Sequence, residues 1–166
     1  MTDKLKSYYL SKNVLNKMKF KSIGKNCKIS NLVSFIGIKN ISIEDNVRID
    51  DFTIINAFEG SITIKKNTNI GSLCYLLGSS GIEIGNNCRI SQGVKMYSKS
   101  DEYKKIINKQ TYKKIVISDN VIIGSSAILL PGSQIEKNCR IGALTIVKKK
   151  IKKNTLFYGK KSSKIF

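Results

Sequence analysis

Histidine is absent from this chain of 166 residues, and proline occurs only once. Histidine is the most frequent general base at neutral pH and the commonest metal-binding side chain. Its absence removes the usual base for deprotonating a hydroxyl group, and it gives no reason to expect a metal centre. Any side-chain base in this chain has to come from another residue type, such as a carboxylate.

Acidic residues are scarce as well, because 11 Asp and Glu stand against 30 Lys and Arg, for a net charge of +19. Such an excess is typical of a solvated lysine-rich surface. It is also typical of a protein with an anionic partner, such as a phosphorylated cofactor, a nucleotide-linked sugar, a nucleic acid or a membrane surface. The basic residues are spread along the chain without a nucleic-acid-binding motif, so we expect no nucleic-acid partner. Net charge alone does not distinguish a solvated lysine-rich surface from a binding site for a phosphorylated cofactor, a nucleotide-linked sugar or a membrane surface.

Long apolar runs are missing too. The sequence has no stretch of about 18 apolar residues and no apolar signal core near its N-terminus. We therefore expect no integral membrane segment and a cytoplasmic protein.

What the sequence does contain is a six-residue repeat. A large apolar residue recurs every six positions in six groups of three: Ile23, Ile29, Phe35; Ile43, Ile49, Ile55; Ile64, Ile70, Leu76; Ile84, Ile90, Met96; Ile117, Ile123, Leu129; and Ile135, Ile141, Val147. Three six-residue segments make one coil, and stacked coils bury a core that no single coil could bury. The pattern predicts an all-β fold, a single-stranded left-handed parallel β-helix of about six coils.

A second column supports this phase. Four residues after each large apolar residue comes a small or β-branched one, and all four cysteines fall in this column: Cys27, Cys74, Cys88 and Cys139. We expect them to be packing residues rather than disulfide partners or metal ligands. Turn-prone segments such as Glu44-Asp45-Asn46 lie between the columns, where Asn, Asp and Gly tolerate a left-handed backbone.

The repeat divides the chain into five parts. Residues 23–96 form coils 1–4 and residues 117–150 form coils 5–6. Residues 97–116 have no six-residue period and are expected to leave the coil as an excursion loop, where solenoid proteins often carry function. Residues 151–166 form a basic C-terminal tail.

Residues 1–22 precede the repeat. Apolar residues at helical spacing within residues 3–20, with Asp3 as a possible N-cap, predict a short helix that caps the open end of the β-helix. Binding of this segment to a membrane surface through its lysines is the alternative.

Two stretches carry a resemblance to a known family. Leu130-Pro131-Gly132 and Ile141-Gly142-Ala143 stand where the hexapeptide-repeat acyltransferases, among them maltose, galactoside and sugar N-acetyltransferases, place such segments. The resemblance runs from about residue 23 to 166. It implies a homotrimer, with acetyl-CoA as cosubstrate lying between neighbouring β-helices and the excursion loop of one subunit reaching the next.

Carried over residue by residue, the resemblance implies a set of cofactor-binding positions. Small side chains would let the pantetheine arm approach exposed backbone amides, and lysines would face the phosphate groups of CoA. These positions are Gly124, Ser125, Gly142, Ala143, Lys148, Lys149 and Lys164. Coil geometry alone is the alternative explanation for the glycines. The family tail normally contains a proline that is missing here, which puts the contact of Lys164 in doubt.

The family's O-acetyltransferases use a histidine on the excursion loop, and that position falls at or next to Asp101 in this sequence. Some sugar N-acetyltransferases of this fold lack the histidine and resemble this chain around Ser100, Asp101 and Tyr103. An amine needs less help than a hydroxyl, since its neutral fraction attacks a thioester directly. The resemblance implies that Asp101 positions the acceptor and accepts its proton, while Tyr103 and Ser100 hydrogen-bond or orient it. A merely polar loop is the alternative.

These observations favour an acetyl-CoA-dependent N-acetyltransferase acting on an amino sugar, nucleotide-linked, for surface polysaccharide biosynthesis. The maltose-type acceptor Asn aligns near Gly71, so that contact is missing. Two alternatives remain open: an O-acetyltransferase that uses Asp101 as base, and a non-catalytic β-helix scaffold or polyanion-binding module.

Overall fold

The computed structural model describes residues 8–101, 110–159 and 161–164. Within these ranges the chain forms one short α-helix, α1 (Lys12–Lys17), a 3-10 turn (Ile38–Asn40) and 23 short β-strands. No helix in the described part is long and apolar enough to cross a membrane.

The strands follow one another around successive coils. Coils 1 to 4 comprise β1 (Ser22–Ile23), β2 (Lys28–Ile29), β3 (Ser34–Ile36); β4 (Ile41–Ile43), β5 (Arg48–Ile49), β6 (Ile54–Asn56); β7 (Ile62–Ile64), β8 (Asn69–Ile70), β9 (Tyr75–Leu77); and β10 (Ile82–Ile84), β11 (Arg89–Ile90), β12 (Lys95–Tyr97). The remaining strands are β13 (Lys99–Asp101), β14 (Gln110–Tyr112); β15 (Ile115–Ile117), β16 (Ile122–Ile123), β17 (Ile128–Leu129); β18 (Gln134–Ile135), β19 (Arg140–Ile141), β20 (Ile146–Val147); and β21 (Lys150–Ile151), β22 (Thr155–Tyr158), β23 (Lys161–Lys164).

Three parallel sheets form the faces of a triangular prism. The first sheet is β1-β4-β7-β10-β15-β18-β21, the second is β2-β5-β8-β11-β16-β19-β22 with β23 added antiparallel, and the third is β3-β6-β9-β12-β17-β20. Equivalent residues stack in register, so that Ile64 lies between Ile43 and Ile84. The predicted left-handed β-helix of about six coils is confirmed, with six complete coils and two strands of a seventh.

The large apolar residues of the repeat point inward and form the core of the β-helix. Key apolar residues such as Ile49, Ile70 and Ile90 are at most 2% exposed, and each contributes about 1.5–3 kcal/mol by burial. Cys74, Cys88 and Cys139 are buried, Cys27 is partly buried, and all four are free thiols, as their column predicted.

The corner between the first and second sheets, here the first corner, is built from asparagine. Its asparagines adopt a left-handed backbone, with φ from 55° to 61°: Asn26, Asn46, Asn67, Asn87, Asn120, Asn138 and Asn154. Their side chains form a ladder in which the amide of Asn67 donates to Asn87 at 3.1 Å and that of Asn138 donates to Asn154 at 3.0 Å. Asparagine suits this corner because it tolerates a positive φ and can hydrogen-bond to the coil above.

The N-terminal segment differs from the helical spacing predicted over residues 3–20. The helix covers only Lys12–Lys17. Its N-cap is Ser11, whose Oγ accepts from the backbone amide of Val14, whereas Asp3 lies outside the described residues. Tyr9 instead forms an antiparallel bridge with Ser30 of the first coil. Leu15 is buried against this coil, so the helix contacts the open end of the core.

Both other irregular segments contain more regular structure than their sequences showed. The excursion begins as a hairpin of β13 and β14, and the coil resumes at Ile115. In the tail, β21 and β22 continue the first and second sheets. Ile151 and Phe157 keep the six-residue spacing and are 3% and 5% exposed.

Candidate active site

Four of the expected cofactor-binding residues lie on one edge of the prism. This edge, the second corner, joins the second and third sheets and comprises residues 30–33, 50–53, 71–74, 91–94, 124–127 and 142–145 of successive coils. Gly124 and Ser125 occupy it in coil 5, directly beneath Gly142 and Ala143 in coil 6.

The hydrogen bonds along this corner distinguish the four residues. The amides of Gly124 and Gly142 donate to Ile141 and Phe157 of the next coil, at 2.7 and 2.8 Å. These two amides are therefore already paired within the stack of coils. The amides of Ser125 and Ala143 make no hydrogen bond within residues 8–101 and 110–159. They are the donors that a ligand lying along the corner can reach.

Coil stacking also explains why two of these positions are glycine. A Cβ on Gly124 would lie 2.5 Å from the backbone nitrogen of Ala143, and one on Gly142 would lie 3.0 Å from Cβ of Tyr158. These glycines let adjacent coils approach each other.

A groove of about 570 Å³ lies at the upper end of the second corner. It forms beside β20, because the seventh coil turns back as the β22–β23 hairpin instead of adding a strand to the third sheet. The lining residues are Ala143, Leu144, Thr145, Ile146, Lys148, Lys149, Phe157, Tyr158 and Gly159. We call it the donor groove, because the family resemblance leads us to expect the acyl donor, acetyl-CoA, at the residues around it. It combines an apolar wall with two lysines, and Nζ of Lys149 lies 5.3 Å from the centre of the Phe157 ring.

The sequence indicated three of these lining residues as cofactor positions, namely Ala143, Lys148 and Lys149. It did not indicate that Leu144, Phe157 and Tyr158 line the same groove. The six-residue interval between Ile151 and Phe157 was the signal that could have placed β22 beside the groove. Lys164 ends β23, where it pairs with Thr155 across the hairpin.

A second cavity, of about 230 Å³, lies lower on the same corner and on the adjacent face of the second sheet. It is lined by Arg48, Asp50, Asn69, Gly71, Arg89, Ile90, Ser91 and Gln92, and we call it the arginine cavity. Oγ of Ser125 lies 3.2 Å from Oε1 of Gln92 in a hydrogen bond that connects coil 5 with coil 4. Polar groups thus continue along the corner from the donor groove to the arginine cavity.

Ser100 and Asp101 lie on a different edge, where β13 leaves the third sheet. The side-chain Nε2 of Gln110 donates to Oδ1 of Asp101 at 3.1 Å, and the hydroxyl of Tyr112 donates to Oε1 of Gln110 at 2.7 Å. Asp101 is exposed at the surface. Tyr103 lies outside the described residues. Within the described residues, a single chain therefore carries Ser100 and Asp101 on one edge, and the expected cofactor residues of the second corner on another.

A lysine borders the same hairpin. Nζ of Lys99 lies 5.0 Å from the centre of the Tyr112 ring and 3.3 Å from Oε2 of Glu59. The pKa of Lys99 is raised above its ordinary value, mainly by the side chain of Tyr112 and also by the Glu59 carboxylate. Lys99 is thus a firmly protonated group that holds the hairpin against the coil.

Two family models match the chain. "Bacterial transferase hexapeptide (six repeats)" matches residues 114–149, and "Hexapeptide repeat of succinyl-transferase" matches residues 61–96. The dTDP-4-amino-4,6-dideoxy-D-glucose acyltransferase of Escherichia coli is 36% identical over 161 residues, which cover 91% of this chain and 84% of that protein. This chain belongs to the hexapeptide-repeat acyltransferases.

Other members of the family are similar over different lengths. The galactoside O-acetyltransferase of Lactococcus lactis is 31% identical over 103 residues, covering 57% of this chain and 50% of that protein. The crystal structure of AntD, an N-acyltransferase from Bacillus cereus in complex with dTDP and 3-hydroxybutyryl-CoA, superposes with a TM-score of 0.87 at 30% identity. It covers 95% of this chain and 88% of AntD.

Further structures of AntD carry replacements of one serine, or of one aspartate ten positions further along its chain. Two of the serine variants hold dTDP-4-amino-4,6-dideoxyglucose and coenzyme A. Together with the hexapeptide coils, these relatives identify the present chain as an acyltransferase.

Proposed function

We propose that this enzyme transfers an acyl group from a CoA thioester to the amine of a dTDP-linked amino sugar of the 4-amino-4,6-dideoxyglucose type. The observation that carries the proposal is the second corner, which leads from the donor groove to the arginine cavity. Relatives that act on or bind such sugars support the choice of acceptor. Acetyl remains the acyl group that we expect, and the cytoplasmic location and the role in surface polysaccharide synthesis remain predictions.

The donor groove suits the two halves of CoA. Lys148 and Lys149 offer positive charge to its phosphate groups, while Leu144 and Phe157 offer an apolar wall. The amides of Ala143 and Ser125 can then hydrogen-bond to the amide groups of the pantetheine arm as it descends the corner. This path brings the thioester towards coil 4, where Ser91 and Gln92 border the arginine cavity.

The reaction itself needs little from the protein. The neutral amine of the sugar attacks the thioester carbon, a C–N bond forms, the C–S bond breaks, and CoA leaves as the thiolate. The proton lost by nitrogen passes to the Asp101 carboxylate and from there to the thiolate or to water. Asp101 lies ten positions after Ser91, which is the spacing of the serine and aspartate replaced in AntD. This match supports a place for both residues at the acceptor.

Since Asp101 and the second corner lie on separate edges of one chain, we propose that the complete site forms between copies in a homotrimer. The second corner carries apolar side chains that are exposed and have a left-handed backbone: Phe52 (50% exposed, φ 57°), Leu73 (62%, φ 60°) and Leu144 (80%, φ 56°). Exposed apolar groups and local strain of this kind are typical of an interaction surface. A second copy that covers this corner would bring its own hairpin to the donor thioester.

The experiment is an acyl-transfer assay with the purified enzyme. Acetyl-CoA or 3-hydroxybutyryl-CoA is supplied with dTDP-4-amino-4,6-dideoxyglucose, or with the analogue that has a hydroxyl in place of the amine, and release of CoA thiol is measured. We expect turnover with the amine and at least tenfold less with the hydroxyl analogue.

Turnover that favours the hydroxyl analogue would instead support an O-acyltransferase. If neither acceptor reacts and acetyl-CoA does not raise the melting temperature, the chain is a non-catalytic scaffold.

A further inference from the structure

Arginine has an unusual distribution in this chain. Only three of its 30 cationic residues are arginine, and Arg48, Arg89 and Arg140 all lie on the outer face of the second sheet. They occupy one column, because Asn69 is the register partner of both Arg48 and Arg89, and Ile122 separates Arg89 from Arg140. Elsewhere the chain uses lysine, so this column is the one place where guanidinium groups recur.

The lower two arginines border the arginine cavity, whereas Arg140 does not. With one coil between them, the Cα atoms of Arg48 and Arg89 are about 10 Å apart, given the usual spacing of strands. Side chains of this length can converge on one anionic group from the two sides. A guanidinium binds phosphate through two parallel hydrogen bonds, which a lysine ammonium cannot reproduce.

The two arginines are held differently. Nε of Arg48 donates to Oδ1 of Asp50 at 2.7 Å, and the guanidinium lies 5.8 Å from the centre of the Tyr9 ring. The Tyr9 hydroxyl also donates to Oδ1 of Asp50, at 3.4 Å. These contacts use one side of the guanidinium and orient the other. Arg89, by contrast, forms no ion pair with any described residue.

A backbone donor completes the cavity. The amide of Gln92 makes no hydrogen bond within the described part of the chain, and it is uncovered because Gly71 has no side chain. A Cβ at Gly71 would lie 3.0 Å from that amide nitrogen. Arg89, Arg48, the Asn69 side chain and this amide thus surround one space with hydrogen-bond donors, and Asp50 is neutralised by Arg48.

We infer that the arginine cavity binds the diphosphate of the nucleotide-linked acceptor, with Arg89 as its principal contact and Arg48 as the second. The inference rests on the proposed function and adds to it the residues that select a nucleotide diphosphate over a free sugar. The phosphates of CoA belong at Lys148 and Lys149, three coils above. The cavity on coils 2 to 4 therefore serves the acceptor.

The test measures binding of dTDP and of thymidine by calorimetry to the wild type, Arg89→Ala, Arg89→Lys and Arg140→Ala. Arg140→Ala is the matched control, since it removes the same side chain from the same column outside the cavity. We expect Arg89→Ala to weaken dTDP binding about 10- to 100-fold, which is the usual effect of losing a charged hydrogen-bonded contact. Arg89→Lys should recover only part of this loss, and Arg140→Ala should stay within twofold of the wild type.

Thymidine, which has no phosphate, should bind the wild type and Arg89→Ala alike. In steady-state assays the KM for the dTDP-linked amino sugar should rise in Arg89→Ala, while the KM for acyl-CoA stays within twofold. Gly71→Ala, which covers the Gln92 amide, should also weaken dTDP binding.

Two results would overturn the inference and leave the proposed function standing. One is an active enzyme in which Arg89→Ala binds dTDP within twofold of the wild type. The other is an equal loss of dTDP binding in Arg140→Ala, which would show that the effect comes from the overall positive charge of the column and not from the arginine cavity. A wild-type enzyme that neither binds dTDP nor acylates the dTDP-linked amine would contradict the proposed function and this inference together.

Discussion

Several interior residues that follow a first-corner asparagine also donate a hydrogen bond to the next coil. Oγ1 of Thr68 donates to the carbonyl of Gly85 at 2.8 Å, and Sγ of Cys88, one coil above, donates to the carbonyl of Ser118 at 3.2 Å. Cysteine and threonine thus perform the same task at equivalent positions, donating to a corner carbonyl of the next coil. At the second corner, Sγ of Cys74 likewise donates to the carbonyl of Ser91, at 3.2 Å. These thiols have to remain protonated to do so, and burial raises the pKa of Cys74 and Cys88 to about 11.

These thiols make stability sensitive to alkaline pH. In the unfolded chain a cysteine ionises near its ordinary pKa of 9.0, whereas Cys74 and Cys88 stay protonated in the folded state until about pH 11. Their contribution is complete below pH 9 and is lost between about pH 9 and 11, by about 1.4 kcal/mol per pH unit for each thiol. Urea unfolding at several pH values checks this slope.

The double variant Cys74→Val/Cys88→Val is the control, because valine already occupies these columns at Val94 and Val121. Its stability should fall less steeply over the same pH range. Parallel curves for the two proteins would show that the thiols do not titrate as the structure indicates.

Asp101 and Gln110 form a second residue-scale unit, joined by the 3.1 Å hydrogen bond across the hairpin. Under the proposed mechanism, Asp101→Ala should lower kcat at least tenfold while the trimer persists. Gln110→Ala should lower kcat less, because Gln110 acts by positioning the carboxylate, and the KM for acyl-CoA should not change in either variant. Steady-state kinetics with the dTDP-linked amine measures both effects.

The double variant Asp101→Ala/Gln110→Ala tests whether the two residues act through each other. Since the role of Gln110 requires the carboxylate, the double variant should be no slower than Asp101→Ala alone. Effects that multiply would show that Gln110 contributes independently of Asp101.

At the scale of the element, the first corner shows how the coils keep their register. The asparagine ladder combines a left-handed backbone with a side-chain bond to the next coil, so each residue serves both the bend and the stacking. Asn67 is central to it, because it accepts from Asn46 at 3.0 Å and donates to Asn87 at 3.1 Å.

Replacing Asn67 separates the two contributions. Asn67→Ala loses both hydrogen bonds and forces alanine into φ 57°, and we expect unfolding to become easier by about 2–4 kcal/mol. Asn67→Gly loses the same bonds but adopts this φ without strain, so it should be about 1 kcal/mol more stable than Asn67→Ala. Urea unfolding measures the difference. Equal stability of the two variants would assign the whole effect to the ladder.

At the scale of the whole molecule, the coils could be predicted because a large apolar residue recurs at six-residue intervals within each coil, from Ile23 to Val147. The ends were harder. The helix is only six residues long and depends on packing of Leu15 against the first coil, which no local period reveals. The donor groove could be predicted only in part. Family resemblance indicated Lys148 and Lys149, whereas Phe157 and Tyr158 line the groove through a hairpin whose position depends on the stacking of the coils. The arginine cavity draws on three coils, so its residues are far apart in sequence.

The proposed sharing of the site between copies has a consequence for mixed trimers. Asp101→Ala removes the proton acceptor but leaves the donor groove intact, whereas Ala143→Trp places a bulky side chain in the groove and keeps Asp101. Ala143 is exposed, so this replacement does not disturb the core. Each variant alone should be inactive. When the two are unfolded together in equal amounts and refolded, a site that takes its groove from one copy and its aspartate from the next is intact at about a quarter of positions, since each copy is the required one half of the time. The mixture should therefore recover about a quarter of the wild-type activity, with variants refolded separately and then combined as the control. If each site lay within a single copy, every copy would carry one of the two replacements, and no arrangement of the two variants would restore activity. A mixture that forms well-folded trimers but stays inactive would therefore exclude the shared site.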